Sequence, residues 1–172
     1  MLNKIFFLTF YFYNMKIELI CIEKTKRVEY RKLIDDYLKR INKKLIFTIK
    51  EIPIVKTKKQ KEKNVLTKQI SLIEKHINDK DYVVLFDVKG KSLSSIGFSK
   101  WLNLKISSRD IKSMKFIIGG PYGLNDKNLT PKINEQISLS KMTFSHQMIR
   151  IFVLEQFYRS LKIISNEPYH NE

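Results

Sequence analysis

Four short stretches of this chain carry residue types that can do chemistry. The C-terminal "EPYHNE" sets Tyr169 and His170 directly after a proline. Imidazole exchanges protons near neutral pH, so a His held behind a Pro-anchored bend beside a Tyr is a candidate acid–base group; an exposed terminal His without a role is the plainer alternative. "GGPYGL", residues 119–124, puts two glycines after an apolar run. Glycine lets backbone approach a ligand closely, and open α/β sheets bind ligands at strand carboxyl ends; a tight turn is the competing reading. "GKS" at 90–92 invites comparison with a phosphate loop, but that loop needs a Gly five positions earlier, where this chain has Leu85. Gly90 is therefore read as a turn leaving a strand. "SLSKMTFSHQMIR", 138–150, matches no nucleotide loop, metal cluster or Ser/His/Asp triad. It does place His146 and Arg150 one helical turn apart, as Glu155 and Arg159 are further on. That spacing suits surface or interface ion pairing, or a polar edge facing RNA or substrate.

The elements that must position these residues alternate clearly. "KIELICI" (16–22) reads as a strand, and the following segment spaces Val28, Leu33 or Ile34, Tyr37, Leu38 and Ile41 as a helix does. "KLIFTIKEI" alternates Leu45, Phe47 and Ile49 with polar neighbours, and Pro53 ends it. A helix carries Val65, Leu66, Ile70, Ile73 and Ile77. "YVVLFDV" (82–88) is a continuous apolar run, as expected of a central parallel strand. A Ser-capped helix with Ile96, Trp101 and Leu104 follows, then the strand "MKFIIGG", then the weak strand "QISLS". The last helix, 146–164, has Ile149, Val153, Phe157, Leu161 and Ile164 on one stripe and Ile151, Leu154 and Tyr158 on another. Apolar on more than one face, it must be buried on more than one side: against the sheet, and against a second copy in a two-fold dimer or a larger core. Strand–helix alternation with apolar strands predicts an α/β fold with a mainly parallel sheet and helices on both faces.

Composition narrows the partners. The 172 residues suit one domain, with no repeat and no second domain. Lys and Arg number 33 against 17 acidic residues, a net charge of +16. Such an excess favours a polyanion, nucleic acid first and an anionic membrane second, or reflects a generally Lys-rich composition. "KTKKQKEKNVLTK" (56–68) concentrates it, with Lys58, Lys59, Lys61 and Lys63 as a phosphate-contacting arm or a solvated face. A lone cysteine, Cys21, excludes a disulfide framework and any Cys-based zinc site, and it fits a small core residue in a reducing compartment. The apolar run from Ile5 to Tyr13 is too short to span a bilayer, and no small-residue cleavage site follows. Residues 1–14 are read as an upstream extension, with the domain starting at Met15 and running to residue 172.

Taken together, "FIIGGPYGL", "SLSKMTF" with its His and "MIR", "EQFYR" and the terminal "PYH" resemble the RlmH type of SPOUT methyltransferase. The resemblance runs from Met15 to the C-terminus. It implies a deep C-terminal trefoil knot, a cytoplasmic homodimer, S-adenosylmethionine as cofactor and no metal. It also implies methylation at N3 of a pseudouridine in helix 69 of bacterial 23S rRNA. The cofactor contacts it implies fall on Phe86, Gly119, Leu139, Ser140, Lys141, Met142, Thr143 and Phe144. The catalytic positions fall on Tyr169 and His170, with Arg150 and Arg159 as RNA or intersubunit contacts. Where the family carries a basic residue after this His, the present chain has Asn171. The rival reading is a non-catalytic basic protein of rRNA binding or ribosome assembly.

Overall fold

The computed structural model describes residues 15–53, 62–120, 124 and 132–170. Five strands form one sheet: β1 (Lys16–Ile22), β2 (Ile46–Ile52), β3 (Tyr82–Ser92), β4 (Ser113–Ile118) and β5 (Glu135–Ser138). Their order is β2-β1-β4-β3-β5, and every neighbouring pair is parallel. Parallel neighbours need crossovers, and helices α1 (Val28–Ile41), α2 (Glu62–Glu74), α3 (Ser95–Ile106) and α4 (Met148–Ile164) lie between or after the strands.

Both faces of the sheet are covered, as the continuous apolar strands demand. On one face Ile17, Leu19, Cys21, Phe47, Val84, Phe86 and Phe116 meet Ile34 and Ile41 of α1, Phe98, Leu102 and Ile106 of α3, and the buried stripe of α4. On the other, Ile20, Ile22, Ile52, Val83, Leu85 and Ile117 meet Leu66, Ile70 and Ile73 of α2. Phe157 of α4 is fully buried and packs edge-on against Phe47, Phe98 and Phe116. Truncating a buried Phe of this kind costs about 3–5 kcal/mol. Burial raises the Cys21 thiol pKa to about 12, so Cys21 behaves as a core residue and not as a nucleophile.

Several expectations shift by a residue or a face. Val28 is exposed, and of the alternatives Leu33 and Ile34 it is Ile34 that is buried, together with Ile41, because α1 docks on a narrow stripe. In α3 the docking residues are Phe98, Leu102 and Ile106, while Leu104 faces solvent. The Ser cap is real: Ser94 Oγ accepts from the Gly97 N–H at 3.0 Å. Gly90 does not turn the chain out of a strand. β3 runs on to Ser92, and a Cβ at position 90 would stand 2.6 Å from the backbone of Ile137. Glycine is required there because β5 passes directly against it. The same stretch bulges: Phe86 and Lys91 both pair with Ile137, so residues 87–90 leave the ladder between them.

Candidate active site

The carboxyl ends of β3, β4 and β5 open into a cleft of about 590 Å³, within the size range of small-molecule sites. Each wall follows from local sequence. The β3 bulge pushes Asp87, Val88 and Lys89 out of the ladder and into the lining. β4 is followed by Gly119 and Gly120, which line the cleft with bare backbone. A Cβ on Gly120 would sit 3.2 Å from Gln69 Oε1 and Ile22 Cγ2, so the second glycine is closely packed from below. The third wall is residues 139–147, which carry the chain from β5 to α4. Short local bonds brace it: Ser138 Oγ donates to the Ser140 carbonyl at 2.9 Å, and Ser140 Oγ accepts from the Met142 N–H at 2.9 Å. Its small polar residues are therefore spent on holding its own backbone.

Of the cofactor positions inferred from sequence, Phe86, Gly119, Leu139, Ser140, Met142, Thr143 and Phe144 line this cleft, and Lys141 faces solvent outside the lining. Phe144 rests on Phe152 at 4.9 Å between ring centroids, both partly exposed. Asp87, Val88, Lys89, His146 and Ile149 join the lining without having been singled out for it. The register shift that exposes the first three leaves no mark in hydrophobic periodicity.

His146 is tied to a residue that no motif pointed to. Its Nε2 lies 2.5 Å from Glu23 Oε2, and Lys26 pairs with the other Glu23 oxygen. The Lys26 ammonium, with His146 behind it, holds the Glu23 carboxyl below its ordinary pKa despite the opposing cost of burial. Glu23 also has φ 74, a left-handed backbone that non-glycine residues seldom adopt. Its N–H donates to the Ile52 carbonyl at 2.7 Å.

Arg150 is corrected from a nucleic-acid contact to a structural one. It is fully buried, and all five N–H groups of its fork are used inside the chain. Nε donates to the His146 carbonyl, Nη1 to Thr25 Oγ1 and Glu51 Oε1, and Nη2 to the carbonyls of Ile22 and Glu23. A guanidinium so occupied presents nothing to a phosphate. Lys58, Lys59 and Lys61 lie outside the described residues, as does Asn171, and of Lys63 only its place in the first turn of α2 is described.

The C-terminal tail is folded back by a left-handed Asn. Asn166 has φ 52, its N–H donates to the Ile163 carbonyl, and the Glu167 N–H reaches the Lys162 carbonyl. This is a Schellman closure of α4 with Asn in the place usually taken by Gly. The Glu167 carboxylate then bridges Lys44 and Lys162, which pull its pKa down to about 2. So anchored, Tyr169 packs edge-on against Tyr158 at 4.8 Å and His170 Nδ1 lies 3.0 Å from Arg159 Nη1. Arginine only donates, so Nδ1 is the acceptor and the neutral ring carries its proton on Nε2. Arg159 pairs with Glu155 at 2.6 Å, as the helical spacing predicted. Burial, and then Tyr37, raise the Tyr169 phenol to about 12, so it stays protonated and can donate.

Tail and cleft do not meet within one chain. Ile149 lines the cleft, whereas Arg159 lies ten residues further along α4, roughly 15 Å at 1.5 Å per residue. Among the described residues no helix is long and apolar enough to cross a membrane.

Comparison with known proteins agrees with this geometry. Residues 15–170 match the family described as "Predicted SPOUT methyltransferase". The chain is similar to proteins named "Ribosomal RNA large subunit methyltransferase H". The one from Flavobacterium johnsoniae is 42% identical over 92% of this chain and 100% of its own length. Those from Flavobacterium psychrophilum and Parabacteroides distasonis are 43% and 42% identical, again over 92% of this chain and 100% of theirs. Residues 1–14 fall outside the family match. An open parallel sheet, a glycine-floored cleft at its carboxyl edge and a full-length match from Met15 to His170 make this chain a methyltransferase, and it belongs to the SPOUT methyltransferase family.

Proposed function

We propose that the chain methylates large-subunit ribosomal RNA, with S-adenosylmethionine as donor, at N3 of a pseudouridine in helix 69 of 23S rRNA. Support for the substrate comes from relatives named for large-subunit rRNA methylation and matched over their whole length, and from the +16 net charge. The cleft suits the donor: Gly119 and Gly120 allow backbone-close approach, and Phe86, Ile118 and Leu139 offer an apolar wall for a nucleobase. Bound there, the donor supplies a methyl group already activated on a sulfonium. The knot that the family resemblance implies would make residues 139–147 the loop around it.

The observation that carries the mechanism is the separation of tail from cleft. A tail pinned beside Arg159 serves a site other than its own, so the working unit is a homodimer in which the tail of one subunit completes the cleft of its partner. With Nδ1 accepting from Arg159, His170 orients the group that takes the N3 proton, and it takes that proton itself only once the Arg159 contact is released. Tyr169, which stays protonated, donates to or stacks on the target base. Arg159 orients the His170 ring through Nδ1. Positioning supplies much of the rate, and general-base help adds about 10²–10⁴-fold.

Single-turnover methylation of pseudouridine-containing ribosomes tests this. His170→Ala should keep cofactor affinity and lower methyl transfer by about 10²-fold or more. Mixing it with a Gly119→Val subunit should restore part of the activity, because one hybrid cleft then has an intact floor and an intact tail. Full activity of His170→Ala would remove this residue from the mechanism, and absence of rescue on mixing would refute the shared site.

A further inference from the structure

The cleft has two unlike ends. At the β3–β5 end, Phe86, Leu139, Met142 and Phe144 give it apolar walls and a backbone rim. At the opposite end, where His146 meets Glu23 just beyond β1, His146 joins the lining, and α4 begins two residues later. S-adenosylmethionine has the same asymmetry: a flat nucleobase at one end and an amino acid carrying an ammonium and a carboxylate at the other.

The His146 ring is held in a set orientation. An ionised carboxylate only accepts, so Glu23 Oε2 fixes the proton of that ring on Nε2, 2.5 Å away. Nδ1 is then the remaining polar atom of a side chain that lines the cleft. Of the charged groups nearby, Lys26 pairs with Glu23 and the Arg150 fork is filled by Glu51, Thr25 and three carbonyls, while one Asp87 oxygen accepts from the Lys89 backbone N–H. Glu23 holds this position from a left-handed backbone, a conformation that costs a non-glycine residue of order 1 kcal/mol and that tends to persist at functional sites.

On the reading that this cleft binds S-adenosylmethionine, we propose that His146, oriented by Glu23, anchors the amino-acid end of the methyl donor. A neutral ring presents Nδ1 as acceptor for the donor's ammonium, and a charged ring presents it as N–H for the carboxylate. Either contact lies on the same moiety. The N-terminus of α4, with its partial positive charge, adds to the carboxylate contact. Glu23 acts through His146 and is a positioning residue.

Calorimetry with two probes tests the assignment: S-adenosylmethionine, and 5′-methylthioadenosine, which keeps the nucleoside and lacks the amino acid. In the dimeric full-length protein, His146→Ala should weaken S-adenosylmethionine by about tenfold or more, roughly 1.4 kcal/mol. It should change methylthioadenosine by less than about twofold. Glu23→Gln should show the same selectivity with a smaller loss. Glu23→Gly relieves the left-handed backbone, so it should fold at least as well as the parent and still weaken S-adenosylmethionine more than methylthioadenosine. Equal weakening of both probes would mean a structural role for His146. Unchanged binding of both would also overturn the proposal and turn His146 towards the RNA. Failure of the unaltered protein to bind either probe would instead overturn the donor assignment on which this inference stands.

Discussion

The Arg150 guanidinium lies 2.9 Å from the Glu51 carboxylate, 99 positions away in sequence, and does so without reaching solvent. It joins the start of α4 to the segment that follows β1 and to the end of β2. The loop that walls the cleft is thereby fixed at its α4 end. Arg150→Met leaves the carbonyls of Ile22, Glu23 and His146 short of donors. Glu51, about a third exposed, can recover water. The loss should be about 3 kcal/mol, at the low end for breaking one side of a buried charged network. Urea unfolding monitored by circular dichroism measures it, and a loss under about 1 kcal/mol would show that the fork is dispensable. Arg150→Lys should recover little, because an ammonium cannot fill five fork positions.

Gly90 faces the backbone of Ile137 and not a side chain that can swing aside. Gly90→Ala should therefore break the return of β3 to the ladder and destabilise by about 1–3 kcal/mol, the range for overpacking. Amide exchange should rise at Ile137 and Ser138 before it rises in β1. Protection unchanged across β5 would contradict the close approach.

A side chain on the cleft floor is expected to act on binding rather than on folding. Gly119→Val should weaken S-adenosylmethionine by more than about tenfold, or 1.4 kcal/mol. A folded variant with parental affinity would move the donor away from this floor.

The clamp on the tail has a pH signature. The Glu167 pKa is depressed in the folded chain, to about 2 against an ordinary value of 4.5. The unfolded chain therefore binds its proton first as pH falls. The contribution is fully present above about pH 4.5 and disappears as pH drops towards 2. Partial exposure of all three partners screens its size. In acid titrations at low salt, Glu167→Gln should show a shallower fall in stability across that window than the parent. Identical slopes would show that Lys44 and Lys162 do not hold the tail.

The fold was legible because its strands are apolar runs and its helices keep a 3.6-residue period. Ile34, Ile41 and Phe157 are where that period puts them. Val28 and Leu104 are exposed although the period points to them, because period alone does not say how wide a docking stripe is. Most of the cleft came from motif resemblance, since Leu139, Met142 and Thr143 have no chemistry of their own to announce them. Arg150 was misassigned because a basic residue on a helix looks the same in sequence whether it meets phosphate or a buried carboxylate. Glu23 could not be found at all, because its importance lies in a backbone angle and in a partner 123 positions away.

The β3 bulge leaves and re-enters the ladder opposite the same residue, Ile137. The strand on either side is thus in step with β5 across the four residues 87–90. Asp87, Val88 and Lys89 line the cleft from this excursion, so their side chains answer to the rim and not to the in–out alternation that the sheet imposes on its ladder residues.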